Sequence, residues 1–386
     1  MSTLLLASLL FSVCGPAHAD GPYLATGIKI GEVLQDSAMV WVRLTRNAER
    51  VDFGAPQPVI RYRNAQTGEL WTGTGEQRRM MTPEVEFPDG SSVETLEGAA
   101  PGAPGEARVL LSVEGGGALP PTEWLAVDAD RDFTRTFTLA GLRPATRYGL
   151  TVETRGPDGT PGQTMEGRFR TAPAPDQPAR VLFTVTTCHR YTRMDAPGGG
   201  YKIHNAMRAM DPDFFVHTGD ILYYDELGKS TELARWHWQR MFSLPTNIAF
   251  HRQVGGYFMK DDHDAWQNDC WPGMQNPFMG AFTFEQGLGI FLEQVPMGDK
   301  THRRARWGKD LEIWMVEGRD HRSPNDMPDG PEKSIWGAEQ KAWFKETVAA
   351  SDATFRILLS PTPVVGPDRE NKNDNHSNKG FQHEGR

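Results

Sequence analysis

A change of sequence pattern near residue 171 most constrains the fold of this chain, because it separates two regions with different periodicities. Before it, short apolar runs show the spacing of two that is typical of half-buried strands. After it, strand-like apolar runs alternate with helical segments, as in an α/β layered domain. Residues 172–179 lie between the regions, contain Pro173, Pro175 and Pro178, and predict a linker. We therefore predict two domains, residues 20–171 and 180–386.

The N-terminal region carries the pattern of a β-sandwich. Residues 38–44 alternate as a half-buried strand does. The run from Leu142 to Val152 contains Leu-x-Pro-x-Thr-x-Tyr, with its tyrosine at Tyr148. This run resembles the corner that enters a strand in fibronectin type III sandwiches, where the tyrosine hydroxyl hydrogen-bonds to the backbone of the corner. An all-β fibronectin- or immunoglobulin-like sandwich is therefore predicted for residues 20–171.

Residues 1–19 have the features of a signal peptide. The apolar run at residues 4–13 is too short to span a bilayer, and Ala17-His18-Ala19 is an A-x-A cleavage site. A lipid anchor on Cys14 is the weaker alternative, because Val13 is bulky for the position before such a cysteine. No later stretch has the length and apolarity of a membrane helix. We therefore predict a secreted or periplasmic protein.

The overall charge limits the classes of partner. The formal net charge is -9, so a nucleic-acid-binding surface is not expected. The same charge would not steer an anionic substrate towards the protein, so phosphate binding would depend on local charges and metals. The sequence does not indicate an oligomeric state.

Three predicted strands of the second region end in side chains that can bind metals. The first is followed by Cys188-His189, the second by Gly219-Asp220 and Tyr223, and the third by residues 261–264 and Asn268. The carboxyl ends of strands in an α/β sheet are where ligand sites form. Three such ends in series therefore predict one shared metal site.

The residue types indicate which metals would suit this site. A thiolate and a phenolate suit a trivalent metal, whereas carboxylate and amide oxygens suit calcium or magnesium. Asp220 could bridge two cations, and Gly219 before it allows a tight turn. Two metals a few ångströms apart can hold the attacking and leaving oxygens of an in-line displacement.

Several alternatives stay open for the individual residues. Cys188 could instead be a buried core residue or form a disulfide with Cys270. Tyr223 could be a packed aromatic residue, with Tyr224 the exposed one. The sequence does not separate Asp261 from Asp262 as the carboxylate nearest the site.

Residues 181–384 resemble the PhoD-like alkaline phosphatase family of the calcineurin-like metallophosphatases. The chain carries the following motifs of that family: Thr187-Cys188 after a strand, Gly219-Asp220-x-x-Tyr223, Asp261-Asp262-His263-Asp264 with Asn268, Arg319-x-x-Arg322, Trp336-Gly-x-x-Gln-x-x-Trp343 and Ser360-Pro-Thr-Pro363. The resemblance implies an αββα metallophosphatase domain after the N-terminal sandwich.

The resemblance also implies a binuclear centre of Fe³⁺ and Ca²⁺. Cys188, Asp220 and Tyr223 would bind the ferric ion, and Asp220 would bridge to calcium. Asn268 would bind on the calcium side.

Three further residues acquire roles in catalysis from the resemblance. Arg319 or Arg322 would contact the phosphate, since a guanidinium can bind its oxygens bidentately. We expect His263 to orient a neighbouring group rather than bind a metal.

The expected function is hydrolysis of phosphate monoesters, diesters or both. A dedicated phosphodiesterase or phospholipase-like enzyme on the same scaffold is one alternative. The family also has a later Gly-Asp-x-His segment that this sequence lacks, so we expect a C-terminally truncated sequence; a catalytically inactive binding protein is the other alternative. Residues 372–376, in a polar tail without periodicity, are either solvated or part of the rim of the site.

Overall fold

The computed structural model describes residues 21–71, 76–366, 369 and 371–386; the predicted signal peptide and Cys14 lie outside them. The strands are β1 (Ile28–Gly31), β2 (Ser37–Arg43), β3 (Val59–Arg63), β4 (Leu70–Trp71), β5 (Thr82–Glu86), β6 (Glu106–Val113), β7 (Leu125–Ala126), β8 (Thr134–Ala140), β9 (Arg147–Arg155), β10 (Pro161–Arg170), β11 (Phe183–Thr186), β12 (Phe214–Thr218), β13 (Gly256–Met259), β14 (Arg303–Trp307), β15 (Leu311–Met315) and β16 (Phe355–Leu359). The helices are α1 (Lys202–Ala209), α2 (Tyr224–Leu227), α3 (Thr231–Phe242), α4 (Pro245–His251), α5 (Asp262–Ala265), α6 (Phe284–Gln294), α7 (Gly337–Ala350) and α8 (Gln382–Gly385).

The α/β region is built in four layers. Along β12, Phe214 and Val216 pack towards the sheet β14-β15-β16, whereas Phe215 packs among the helices on the other face. This alternation follows from the period of two along a strand. On the outer face of the second sheet, Trp314 of β15 donates a hydrogen bond to Thr347 of α7 at 2.9 Å. The layers therefore run helix, sheet, sheet, helix, in agreement with the predicted αββα arrangement.

The central sheet extends beyond the predicted domain boundary. Its strand order is β11-β12-β13-β1-β2-β8, so three N-terminal strands continue the sheet of the α/β region. The link is a parallel pairing of Gly31 on β1 with Gly256 on β13. Side chains of β1, β2 and β8 share a core with the sheet β10-β9-β6-β7, for example Val40 with Val152. The two regions therefore share a sheet, and the predicted division at residues 172–179 stays a prediction.

The tyrosine corner forms as the sequence indicates. Tyr148, buried at the start of β9, accepts a hydrogen bond from the backbone N–H of Arg143 at 2.8 Å. The prediction for this hydroxyl is confirmed, whereas the assignment of residues 20–171 to a fibronectin-like domain stays a prediction.

Two segments pack more closely than their composition suggests. The Gly/Pro/Glu-rich composition of residues 82–106 predicts an exposed insertion, but Leu96 is buried and Trp236 of α3 donates to the carbonyl of Glu97 at 3.0 Å. Near the end of the chain, Phe381 is buried against Trp336, so the expected structureless tail is wrong for the described residues there. Both segments are held by long-range apolar contacts that local patterns do not reveal.

Within the described ranges, no helix has the length and apolarity needed to cross a membrane.

Candidate metal centre

The ends of β11, β12 and β13 meet at one edge of the central sheet. The parallel register places Thr186 beside His217 and Thr218 beside Met259, so the residues that follow these strands converge. Cys188 and Asp220 both have left-handed backbone conformations, with φ of 58° and 54°. Residues other than Gly, Asn and Asp rarely adopt this backbone conformation. Residues in such sparsely populated conformations cluster at functional sites.

The carboxylate of Asp220 is the centre of this edge. Its Oδ2 accepts hydrogen bonds from the Cys188 thiol at 3.3 Å and the Tyr223 hydroxyl at 3.1 Å. Its Oδ1 is buried and has no hydrogen-bond partner among the described residues. The structure thus brings Cys188, Asp220 and Tyr223 together. Cys188 and Cys270 are both free, so the alternative of a disulfide between them is wrong.

Asp262 and His263 complete the group around Asp220. These three residues each offer a ligand atom, and the atoms lie within 4.8 Å of one another. The Nδ1 atom of His263 lies 2.9 Å from Oδ1 of Asp225, so this carboxylate fixes the ring. The structure therefore singles out Asp262, rather than Asp261, as the carboxylate next to Asp220.

The pKa values of this group are set by burial and by the carboxylates that lie close together in it. Burial, and then the carboxylate of Asp262, raise the pKa of Asp220. Burial also raises the pKa of Cys188. Burial lowers the pKa of His263, but the carboxylate of Asp225 outweighs it and raises the pKa to about 10. A bound cation would favour the charged carboxylate and thiolate. The donor types and the unpartnered Oδ1 of Asp220 therefore fit a metal ion.

Asn268 lies beside this group but does not contact Asp220 through any hydrogen bond in the described part of the chain. Its side-chain amide donates to Asp269 at 2.7 Å, and the backbone N–H of Asp269 donates to Asp262 at 2.6 Å. The loop that carries Asn268 is thus tied to the site through Asp262.

The two arginines predicted to contact phosphate lie inside the protein. Arg319 is 2% exposed, and its Nε donates to Oδ1 of Asp261 at 2.6 Å. Arg322 is 3% exposed and donates to Asn325 at 3.0 Å and to the carbonyl of Asp374. The guanidinium of Arg319 therefore pairs with the carboxylates of Asp261 and Asp262, and its contact with a phosphate stays a prediction. Nη1 of Arg322 is buried without a hydrogen-bond partner among the described residues.

The segment around Lys372 packs on the rim of the site. Its ammonium group donates to Asp269 at 3.0 Å and to Asp374 at 2.9 Å. Since Asp269 contacts Asp262, this segment is joined to the loop beside the metal-binding group. Of the two alternatives for residues 372–376, the structure favours the rim over a solvated tail.

A pair of buried histidines joins the loops that carry Cys188 and Asp220. Nδ1 of His217 accepts from the backbone N–H of Gly219 at 3.3 Å, and Nε2 of His217 lies 2.8 Å from Nδ1 of His189. Burial lowers the pKa of His189 to about 4 and lowers that of His217 well below its ordinary value, so both rings are neutral. His217 must then carry its proton on Nε2 and donate it to His189. His217 therefore has a structural role, and the sequence motifs do not indicate its pairing with His189.

Asp225 is a site residue that the sequence motifs do not include, and Asp264 is a motif residue to which they assign no role. Asp264 accepts from the backbone N–H of Leu222 at 3.0 Å and thereby fixes the loop after Asp220. Asp225 follows Tyr223 by two positions and fixes His263. Acidic residues so close to the motifs were a usable signal, but their partners are apparent only in the fold.

We predict that Gly219→Ala destabilises the protein by about 1–3 kcal/mol, because overpacking costs this much. Gly219 has φ of 109°, and an added Cβ would lie 2.7 Å from Cβ of Asp261. Denaturant unfolding would measure the loss. Gly273→Ala is the matched control, since Gly273 has φ of 76° and open space around it. Equal losses in the two variants would contradict a steric role for Gly219.

Comparison with known proteins identifies relatives of the chain. A family model described as PhoD-like phosphatase matches residues 183–247 and 242–385. No curated protein sequence matches the chain significantly. Among solved structures, one described as the structure of PhoD matches 89% of this chain with a TM-score of 0.63 and 15% identity. The match covers 63% of the length of PhoD. Purple acid phosphatase PPD1 from yellow lupin seeds matches with a TM-score of 0.49 and 14% identity, over 89% of this chain and 52% of that one.

Proposed function

Because the chain belongs to the PhoD-like phosphatase family, we propose that it is a metal-dependent phosphoesterase that hydrolyses phosphate monoesters, diesters or both. The observation that carries the proposal is the Asp220 carboxylate. One of its oxygens accepts from a thiol and a phenol, and the other is buried without a hydrogen-bond partner among the described residues. A buried carboxylate oxygen without a partner is costly unless a cation or a water binds it.

The donor set supports a binuclear centre of Fe³⁺ and Ca²⁺. Cys188 and Tyr223 would hold the ferric ion, since thiolate and phenolate ligands suit a trivalent metal. Asp262 and Asn268 would hold calcium, which prefers oxygen ligands. Asp220 would serve both ions.

The chain's own residues would prepare the site for phosphoryl transfer. Bound metal ions would supply positive charge that stabilises the phosphoryl oxygens in the transition state. Asp225 holds the ring of His263 beside Asp220, so we assign His263 a proton-donating role towards the leaving oxygen. Arg319 offsets the charge of Asp261, which keeps the carboxylates packed behind the site.

Location and domain division complete the proposal. The apolar run at residues 4–13 and the A-x-A site at 17–19 support a signal peptide and export to the periplasm or the medium. The change of pattern at residues 172–179 supports a fibronectin-like region at 20–171 and a metallophosphatase region at 180–386.

Metal removal tests the proposal. We expect chelation to abolish hydrolysis of an aryl phosphate monoester and of an aryl phosphate diester, and Fe³⁺ with Ca²⁺ to restore it. Rebinding should also raise the melting temperature, since a ligand at 100 times its Kd stabilises the folded state by about 2.7 kcal/mol. The ratio of the two rates would establish the preferred ester.

The outcome would also separate the alternatives. A metal-loaded, folded chain that hydrolyses neither ester would favour a binding protein. Hydrolysis of the diester alone would favour a dedicated phosphodiesterase. Hydrolysis that survives chelation, with no change in melting temperature, would contradict the metal-dependent mechanism.

A further inference from the structure

Arg190 places a guanidinium group at the mouth of the metal-binding edge. It follows Cys188-His189, and the backbone N–H of His189 donates to the carbonyl of Asp220 at 2.8 Å. The Cζ atom of Arg190 lies 4.4 Å from the centroid of the Tyr223 ring. The hydroxyl of the same ring contacts Asp220. Arg190 is therefore joined to the centre of the site through both the backbone and the Tyr223 ring.

The terminal nitrogens of the Arg190 guanidinium, Nη1 and Nη2, are available to bind a ligand. Its side chain is 41% exposed, and its Nε lies 3.0 Å from Oε1 of Glu226. The Nη1 and Nη2 atoms donate no hydrogen bond to any residue that the structure describes. Glu226 and the Tyr223 ring thus fix the base of the guanidinium and leave its outer edge to solvent. Stacking on an aromatic ring orders such a group before a ligand binds.

The other arginine and lysine side chains near the site are less available to bind an anionic ligand. Arg319 and Arg322 are buried and bonded internally. Lys372 is held between two carboxylates, those of Asp269 and Asp374. Since the site is rich in carboxylates and the chain carries a net charge of -9, an anionic substrate needs a local positive group. Among these cations, Arg190 has the most exposed side chain.

We propose that Arg190 binds non-bridging oxygens of the substrate's phosphoryl group, and those of the product phosphate, at the mouth of the site. The proposal rests on the proposed phosphoesterase function. A planar guanidinium fork matches two phosphate oxygens, and hydrogen bonds of this kind are strong because both partners are charged. Arg190 would thus be a binding residue that the family motifs do not single out.

The test compares variants of the metal-loaded full chain. For Arg190→Ala we expect a rise of roughly 10- to 100-fold in the Kd of inorganic phosphate, measured by calorimetry, and a similar rise in the KM of an aryl phosphate. The kcat should change less than the KM, and the metal content should not change. The Kd of phosphate for Arg190→Lys should lie between the values for the wild type and Arg190→Ala, because lysine keeps the charge and lacks the planar guanidinium.

Arg193→Ala is the matched control, because Arg193 is an exposed arginine in the same 3₁₀ turn region. We expect it to leave the Kd of phosphate unchanged. Equal Kd values for wild type and Arg190→Ala, with hydrolysis intact in the wild type, would overturn the role of Arg190 alone. Loss of metal from Arg190→Ala would also overturn it, by indicating that Arg190 supports Tyr223 instead. A wild type that neither hydrolyses esters nor binds phosphate would overturn the proposed function as well.

Discussion

Replacement of Asp220 by asparagine should lower kcat/KM for aryl phosphates by about 10³-fold or more. Metal ions contribute several kcal/mol of charge stabilisation to such transition states, and each 1.36 kcal/mol is a factor of ten in rate. Asn keeps the shape of the side chain and tolerates the left-handed conformation of residue 220. The substitution therefore removes the charge between Cys188, Tyr223 and Asp262 with little change to the backbone. Steady-state kinetics and metal analysis of the purified protein would measure both effects.

Asp211→Asn is the control for this substitution. Asp211 also has a left-handed conformation, with φ of 49°, and its carboxylate pairs with Arg147 on the surface. We expect this variant to keep its metal content and its activity. If Asp220→Asn kept the metal content and the kcat/KM of the wild type, Asp220 could not be the residue around which the metal centre is built.

Arg319→Met should destabilise the fold by about 3–5 kcal/mol, because removal of one partner from a buried ion pair leaves the other charge unpaired. Arg319 lies 2.6 Å from Asp261 and 3.6 Å from Asp262. Arg319 opposes the rise that burial causes in the pKa of Asp261, so loss of the guanidinium would make the buried charge of this carboxylate more costly. Denaturant unfolding at neutral pH would measure the loss.

A double variant separates this structural role from substrate binding. Asp261→Asn in the Arg319→Met background removes the carboxylate that has lost its partner. It should therefore restore part of the free energy of unfolding. Arg319 acts as a phosphate ligand instead if Arg319→Met unfolds at the same denaturant concentration as the wild type and only its KM rises.

Local patterns in the sequence predicted much of the α/β region. The sequence pattern predicts a helix at residues 231–242, and α3 spans Thr231–Phe242, with Ser230 capping its first turn by accepting from the N–H of Leu233. The pattern also predicts a helix at residues 337–350 and a strand at residues 355–359, which are the bounds of α7 and β16. Each of these elements is specified by residues close to it in sequence. Helix α4 was missed, although Pro245 at its start is a common first helical residue.

The candidate site likewise contains residues that a local motif predicts and residues that only the fold brings together. Gly219, Asp220 and Tyr223 form one local motif, and the structure brings them together with Cys188 as expected. The choice between Asp261 and Asp262 depends on Arg319, which is 58 residues away from Asp261 in sequence. The direction of a guanidinium, inward for Arg319 and outward for Arg190, depends on which carboxylates the fold brings near. Motif spacing carries no information about this.

The pairing of β1 with β13 joins the two regions in one sheet. Lys29 of β1 donates to the carbonyl of Gln294 at 2.7 Å, and Trp41 of β2 donates to that of Glu293 at 2.8 Å, so α6 rests on N-terminal strands. A chain cut at residues 172–179 would leave β13 with an open edge and α6 without these anchors. Open edges invite pairing with other chains. We therefore expect the N-terminal strands to protect this edge of the α/β region from pairing with other chains.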